Sequence, residues 1–267
     1  MKNIEIMEEN PIHKRFGESA IIYHQEAEIQ KKVAEGLIAS LRPWKEILPS
    51  GPILEVGAGT GFLSEMLLSE FPNRKLAITD ASREMILYAH EDLYEKGLEL
   101  DNAMFMPFDV DQDDLGEGEY SLIISNFAAQ WFKDTAIGLS KLTQALKPGG
   151  LLLVSFPGNK SFSEWYQACL ETGLPFTANA LPDTEEVVIK LSMDPVQVDF
   201  YENTLTQKFP SAQDFFFHLK DIGASSSKTG KSLSPKQLKI LMNHWDSKGE
   251  DVTVSWRTVY LVAKKEG

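Results

Sequence analysis

From Glu26 to Leu41 the apolar residues Ile29, Val33, Leu37 and Leu41 recur at every fourth position. That spacing stacks them on one face of an amphipathic helix. Arg42-Pro43 ends the pattern, because the residue before a proline is driven away from helical backbone. Upstream, KRFGESAIIYHQEA (14–27) is interrupted by Gly17 and carries Tyr23 and His24, so residues 1–45 read as an N-terminal helical cap.

Downstream the period alternates between strand and helix. Ile53 to Val56 is a short apolar run that ends in glycines, and Leu63, Met66 and Leu67 put one apolar side on a helix from Phe62 to Glu70, which Phe71-Pro72-Asn73 stops. A strand follows from Lys75 to Thr79. Ser82 then caps a helix running from Arg83 into Tyr94, with Met85, Ile86 and Ala89 at helical spacing. Ala103 to Met106 is a third strand, and Tyr120 to Ser125 a fourth whose continuous apolar character suits burial on both faces. A helix around Ala136 to Leu146 leads through the turn Lys147-Pro148-Gly149-Gly150 into LLLVSF, a fifth strand. Five strands separated by helices imply a parallel sheet with right-handed crossovers.

Beyond Pro157 the alternation loosens. A helical stretch from Phe162 to Leu170 and a proline-containing segment from Gly173 to Pro195 mark an insertion. Val196 to Phe209 reads as a strand, Phe215 to Ile222 and Pro235 to Trp245 as helices, and Val252 to Ala263 as a last strand rich in β-branched and aromatic residues. The resulting division is a cap (1–45) and one main domain (46–267), with 158–195 as its substrate-side insertion.

Composition narrows the classes. With 267 residues, 43% of them hydrophobic and 24% charged, the chain suits one large globular α/β core. No apolar run reaches bilayer-spanning length, and the start MKNIEIMEENP lacks the basic and apolar regions of a secretory signal, so a cytoplasmic, non-membrane protein is expected. Cys169 is the lone cysteine, and the five histidines are scattered without ligand spacing, so no metal is expected. A net charge of −13 opposes tight binding to nucleic acid.

The candidate chemistry gathers at strand ends. ILEVGAGTGF (53–62) carries Gly57, Gly59 and Gly61, where a tight turn lets a ligand approach the backbone at a helix N-terminus. A dinucleotide fingerprint needs its third glycine at the next position, which is Phe62 here. Glu55, two residues before Gly57, completes instead the pattern of an S-adenosylmethionine site, which has no pyrophosphate to cradle. Asp80, after the second strand, is set to accept from both ribose hydroxyls; Asp109, after the third, to accept from the adenine amine, with Phe108 and Val110 against the ring.

With these residues in view, the chain resembles the class I S-adenosylmethionine-dependent methyltransferases over residues 50–157, and within them the malonyl-acyl-carrier-protein O-methyltransferases of biotin synthesis. The narrower likeness rests on KRFGESAIIYHQEAEIQKKVAEGL (14–37), ISNFAAQWFKD (124–134), HLKDIGASSS (218–227) and VTVSWRTVYLVAKK (252–265). Trans-aconitate methyltransferases carry a stretch similar to the second segment. Ala58 stands where the family often has cysteine, and the 173–195 region has no clear counterpart. The resemblance implies a doubly wound, mostly parallel, seven-stranded Rossmann-like sheet. It implies that Glu55, Gly57, Ala58, Gly59, Asp80, Ala81, Asp109, Val110 and Asn126 hold the cofactor. Tyr23 would close the cap over it, with Gln130 and Trp131 at the methyl-transfer mouth. The acceptor implied is malonyl-acyl carrier protein, or malonyl-coenzyme A, methylated on its free carboxylate. That carboxyl ionises near pH 4, so no general base is needed.

Lys220, Lys228, Lys231, Lys236 and Lys239 share a stretch in which Asp221 is the only acid, and the last four are a candidate docking patch for an acidic carrier. Competing expectations are a methyltransferase for a small free carboxylate such as trans-aconitate, a nicotinamide-dependent oxidoreductase, and a cofactor-binding regulator without catalysis.

Overall fold

The computed structural model describes residues 20–224 and 232–267. The sheet has seven strands: β1 (Ile53–Val56), β2 (Leu76–Asp80), β3 (Ala103–Pro107), β4 (Tyr120–Asn126), β5 (Leu146–Pro157), β6 (Val196–Phe209) and β7 (Val252–Lys265). Their order is β3-β2-β1-β4-β5-β7-β6, with β1 to β5 parallel and β7 running antiparallel to both of its neighbours. All four residues of β1 are buried, as its central place requires. The chain winds outward from β1 to β3, then returns to lay β4 on the other side of β1. That reversal opens a crevice beyond the carboxyl ends of β1 and β4, where open α/β sheets bind ligands.

The helices between strands are α3 (Phe62–Glu70), α4 (Arg83–Glu95) and α5 (Thr135–Ala145), with Ser82 and Asp134 capping the last two through their side chains. One stretch differs from the pattern reading. Lys147-Pro148-Gly149-Gly150 is part of β5 rather than a turn before it, and the pairing with β4 shifts between Tyr120 and Leu122 to absorb the added length.

The cap begins with α1 (Ala20–Glu26) and α2 (Glu28–Leu41), two helices parted at Ala27, whose ψ of 49° leaves the helical region. Ile29, Val33, Leu37 and Leu41 are all buried against the sheet. The α-helix ends at Leu41, where Arg42-Pro43 was expected to stop it, and the chain tightens into a 3-10 turn, Arg42–Ile47, because proline is tolerated in a first turn. Between β5 and β6 lie α6 (Ser163–Thr172) and α7 (Thr184–Leu191), and between β6 and β7 lie α8 (Ala212–Asp221) and α9 (Pro235–Asp246). The α7 helix falls in the proline-containing segment from Gly173 to Pro195, to which the residue pattern assigned no element. Asp183 caps it by accepting from Glu186 N, and Val187 and Leu191 bury its inner face.

A dense aromatic cluster joins these later helices. Phe162, Trp165, Phe215, Phe216, Trp245 and Trp256 meet with ring centroids between 4.7 and 6.3 Å, mostly edge to face. Among the described residues no helix is long and apolar enough to cross a membrane, and no group of three His, Cys, Asp or Glu side chains is set to hold a metal ion.

Candidate active site

The loop after β1 takes backbone angles that only glycine adopts easily: φ is +74° at Gly57, +55° at Gly59 and +92° at Gly61. A Cβ on Gly57 would overlap the Ala128 Cβ, and one on Gly59 would lie 3.7 Å from the Tyr23 ring, inside the crevice. The loop is bound to β2. Gly57 N and Ala58 N both donate to the Thr79 carbonyl, at 2.8 and 2.9 Å. Asp80 completes the tie, its Oδ2 accepting from Gly59 N at 2.9 Å and its Oδ1 from Ser82 N at 2.8 Å. These two bonds fix the orientation of the Asp80 carboxylate at the crevice.

Asp80, Ala81, Asp109, Val110 and Asn126 line the crevice, together with Gly57 and Gly59. Buried Phe108 and Val110 supply an apolar wall. Asp109 is held by its own loop: Oδ1 accepts from Asp111 N at 2.9 Å and Oδ2 from Gln112 Nε2 at 2.6 Å. Asn126 is clamped between cap and sheet, donating to the Gln30 carbonyl at 3.0 Å and accepting from Ser155 Oγ at 2.8 Å.

Glu55 and Ala58 lie outside that lining. The Glu55 carboxyl is wholly buried beneath the loop, where Ser64 Oγ donates to Oε2 at 2.6 Å. Burial raises its pKa to about 8, the Ser64 hydrogen bond opposing and the Asp80 charge reinforcing the shift. At neutral pH this carboxyl therefore keeps its proton.

Tyr23, Phe127 and Trp131 line the crevice and also a second cavity of about 500 Å³, so they form the seam between the two. Gln130 lines only the larger cavity of this pair. Burial, and after it the charge of Asp80, pushes the Tyr23 phenol well above its ordinary pKa, so its hydroxyl stays protonated. The cap carrying Tyr23 is docked by His24, which stacks on Phe62 at 4.7 Å and leans on Tyr88 at 5.4 Å, and by Glu26, 3.7 Å from His218 on α8.

Both walls of the larger cavity contain a phenylalanine forced into left-handed backbone, Phe127 at φ +52° and Phe162 at φ +62°. Such a conformation in a bulky residue costs about 1–3 kcal/mol and persists where surrounding contacts over-determine it. Here Phe127 N donates to Ser155 O at 2.9 Å and Gln130 Nε2 to Phe127 O at 2.6 Å; Phe162 N donates to Ser255 O at 2.8 Å. Both rings converge on Trp256, at 6.1 and 4.7 Å.

Residue patterns pointed to the crevice, and the family resemblance to Tyr23 and to the Gln130-Trp131 pair. They did not single out Phe127, Phe162, Phe216, Phe217 or Trp256 as cavity walls. The signal in hindsight is the run FFFHLK (215–220), too apolar for a surface helix. The cavity also takes its wall from Thr177 to Leu181, within the 158–195 segment, and from the β6–β7 connection. Of the four docking lysines, Lys228 and Lys231 lie outside the described residues, while Lys236 and Lys239 are exposed on α9.

The family model of a methyltransferase domain matches residues 54–152. The chain is 31% identical over 265 residues to a malonyl-[acyl-carrier protein] O-methyltransferase of Priestia megaterium, covering 91% of this chain and 93% of that one. It is 32% identical over 247 residues to a biotin biosynthesis bifunctional protein of Bordetella avium, of which it spans 50%. Among solved structures, the YcgJ protein of Bacillus subtilis superposes with a TM-score of 0.58 at 14% identity, covering 86% of this chain and 99% of that one, a likeness of fold.

Proposed function

We propose that this chain, which belongs to the class I S-adenosylmethionine-dependent methyltransferases, methylates the free carboxylate of a malonyl thioester on acyl carrier protein, giving the ester used in biotin synthesis. The observation that carries this reading is the seam. A glycine-walled crevice opens at Tyr23, Phe127 and Trp131 into an apolar, aromatic cavity whose described lining holds a single charged side chain, Lys220. An acceptor with one carboxylate at the tip of a long uncharged arm suits such a cavity. A small tricarboxylate such as trans-aconitate would bring several charges against aromatic rings with little to pair them. The names of the curated relatives point the same way.

The crevice residues fit the cofactor. The missing Cβ of Gly59 leaves room under Tyr23, Asp80 sets a carboxylate in the crevice where ribose hydroxyls would lie, and Phe108 and Val110 provide a slot for a purine. When bound, S-adenosylmethionine supplies an electrophilic methyl group. The chain's own residues supply alignment and dryness. The malonyl carboxylate is ionised above about pH 4 and needs no base. Phe127 and Trp131 strip water from it at the seam, and the Tyr23 hydroxyl, kept protonated, donates a hydrogen bond that orients it. The ester is neutral, so the product leaves behind no buried charge.

The test is mass spectrometry of malonyl-acyl carrier protein after incubation with the chain and S-adenosylmethionine, beside parallel reactions on malonyl-coenzyme A and trans-aconitate. One added methyl on the malonyl thioesters is expected. Methylation of trans-aconitate alone would sink the reading.

A further inference from the structure

We propose that Lys220 is an anion anchor at the outer end of the acceptor cavity, reading the phosphate that ends the pantetheine arm. The assignment rests on the malonyl-thioester reading above. Lys220 is the only charged residue lining the cavity among the described residues. It sits in the last turn of α8 and is exposed, whereas its neighbours Leu219 and Ile222 are buried. Its ammonium group therefore stands at the water-facing side of the cavity. Lys220 is absent from the crevice lining and is not one of the seam residues. It is thus badly placed to hold the reacting carboxylate, and a cation fixed on that oxygen would blunt its attack.

The acceptor carries a second anion. In a malonyl thioester on phosphopantetheine, a neutral chain of methylenes and two amides separates the carboxylate from a phosphate. The cavity offers matching chemistry: aromatic rings at the seam and along its walls, uncharged polar side chains such as Gln30 and Thr177 among them, and one exposed cation. The same phosphate occurs on acyl carrier protein and on coenzyme A, so Lys220 recognises the arm and not the protein surface beyond it.

Two measurements on Lys220→Gln and Lys220→Arg test this. In the first, pantetheine and 4′-phosphopantetheine are titrated into the protein by calorimetry. The wild type is expected to favour the phosphorylated form, Lys220→Gln to lose about fivefold of that preference, and Lys220→Arg to keep it, in line with an exposed ion pair. In the second, kcat/KM is compared for malonyl-pantetheine, malonyl-coenzyme A and malonyl-acyl carrier protein. The ratio of either phosphate-bearing substrate to malonyl-pantetheine should fall by the same factor in Lys220→Gln, through KM. An unchanged ratio overturns the anchor, and so does a fall confined to the carrier protein, which would make Lys220 a protein-surface contact. The two readings fail separately. A wild type that methylates no malonyl thioester yet prefers phosphopantetheine loses the function and keeps the anchor. Methylation without that preference loses the anchor alone.

Discussion

The crevice and the larger cavity share three residues and are built in opposite ways. The crevice is backbone chemistry. Its loop conformation, the Thr79 carbonyl that ties it and the carboxylate of Asp80 all follow from strand ends adjacent in the parallel sheet. The cavity is side-chain packing. Its walls come from the cap, the segment after β4, the α6–α7 region, and both α8 and β7, with no short stretch supplying it all. Rigid local geometry suits a constant ligand, and an assembled aromatic wall suits the acceptor, the part that differs from one methyltransferase to another.

If the two regions are separate modules, their substitutions should separate too. The largest effect is expected from Trp256→Ala, which removes the ring on which Phe127 and Phe162 converge. It should cost about 3–5 kcal/mol of stability by chemical denaturation. The protein that remains folded should bind S-adenosylhomocysteine normally, and a large loss there would dissolve the distinction. Asp80→Ala acts on the other side. Removing the proposed acceptor for ribose hydroxyls and the tie to Gly59 should weaken S-adenosylhomocysteine by about 30- to 100-fold in calorimetry, with the acceptor KM little altered. Wild-type affinity would reject the ribose assignment.

Tyr23→Phe tests the seam itself. Because the hydroxyl is assigned to orienting the nucleophile, kcat should drop by about tenfold while the binding constants for cofactor and acceptor move less. A change in KM alone would return Tyr23 to a packing role. The last test concerns Glu55, beneath the crevice loop. Its folded pKa of about 8 lies above the ordinary 4.5, so between those values the folded chain holds a proton that the unfolded chain releases. Wild-type stability therefore carries a contribution that is full below pH 4.5 and fades as pH rises toward 8. Glu55→Gln keeps the shape and removes the titration. Its melting temperature should climb steadily relative to wild type between about pH 5 and pH 8. Parallel curves for the two proteins would place the Glu55 carboxyl in its ionised state.

The sequence by itself determined the alternation of strands and helices, the glycine turn and the acids at the strand ends. These depend on periodicity, on φ at individual glycines and on caps such as Ser82, all of which act between residues close in the chain. Ile53–Val56, Phe62–Glu70 and Val196–Phe209 coincide with their expected bounds for that reason. Tertiary structure alone decided the rest. The break at Ala27 and the absorption of Lys147-Pro148-Gly149-Gly150 into β5 answer to what those segments pack on or pair with. The left-handed Phe127 and Phe162 go against local preference, and contacts from distant strands help to hold both. Lys220 shows the limit most clearly: among neighbouring lysines it is an ordinary surface charge, and only the folding of α8 against the cap brings it to a cavity whose described lining holds no other charge.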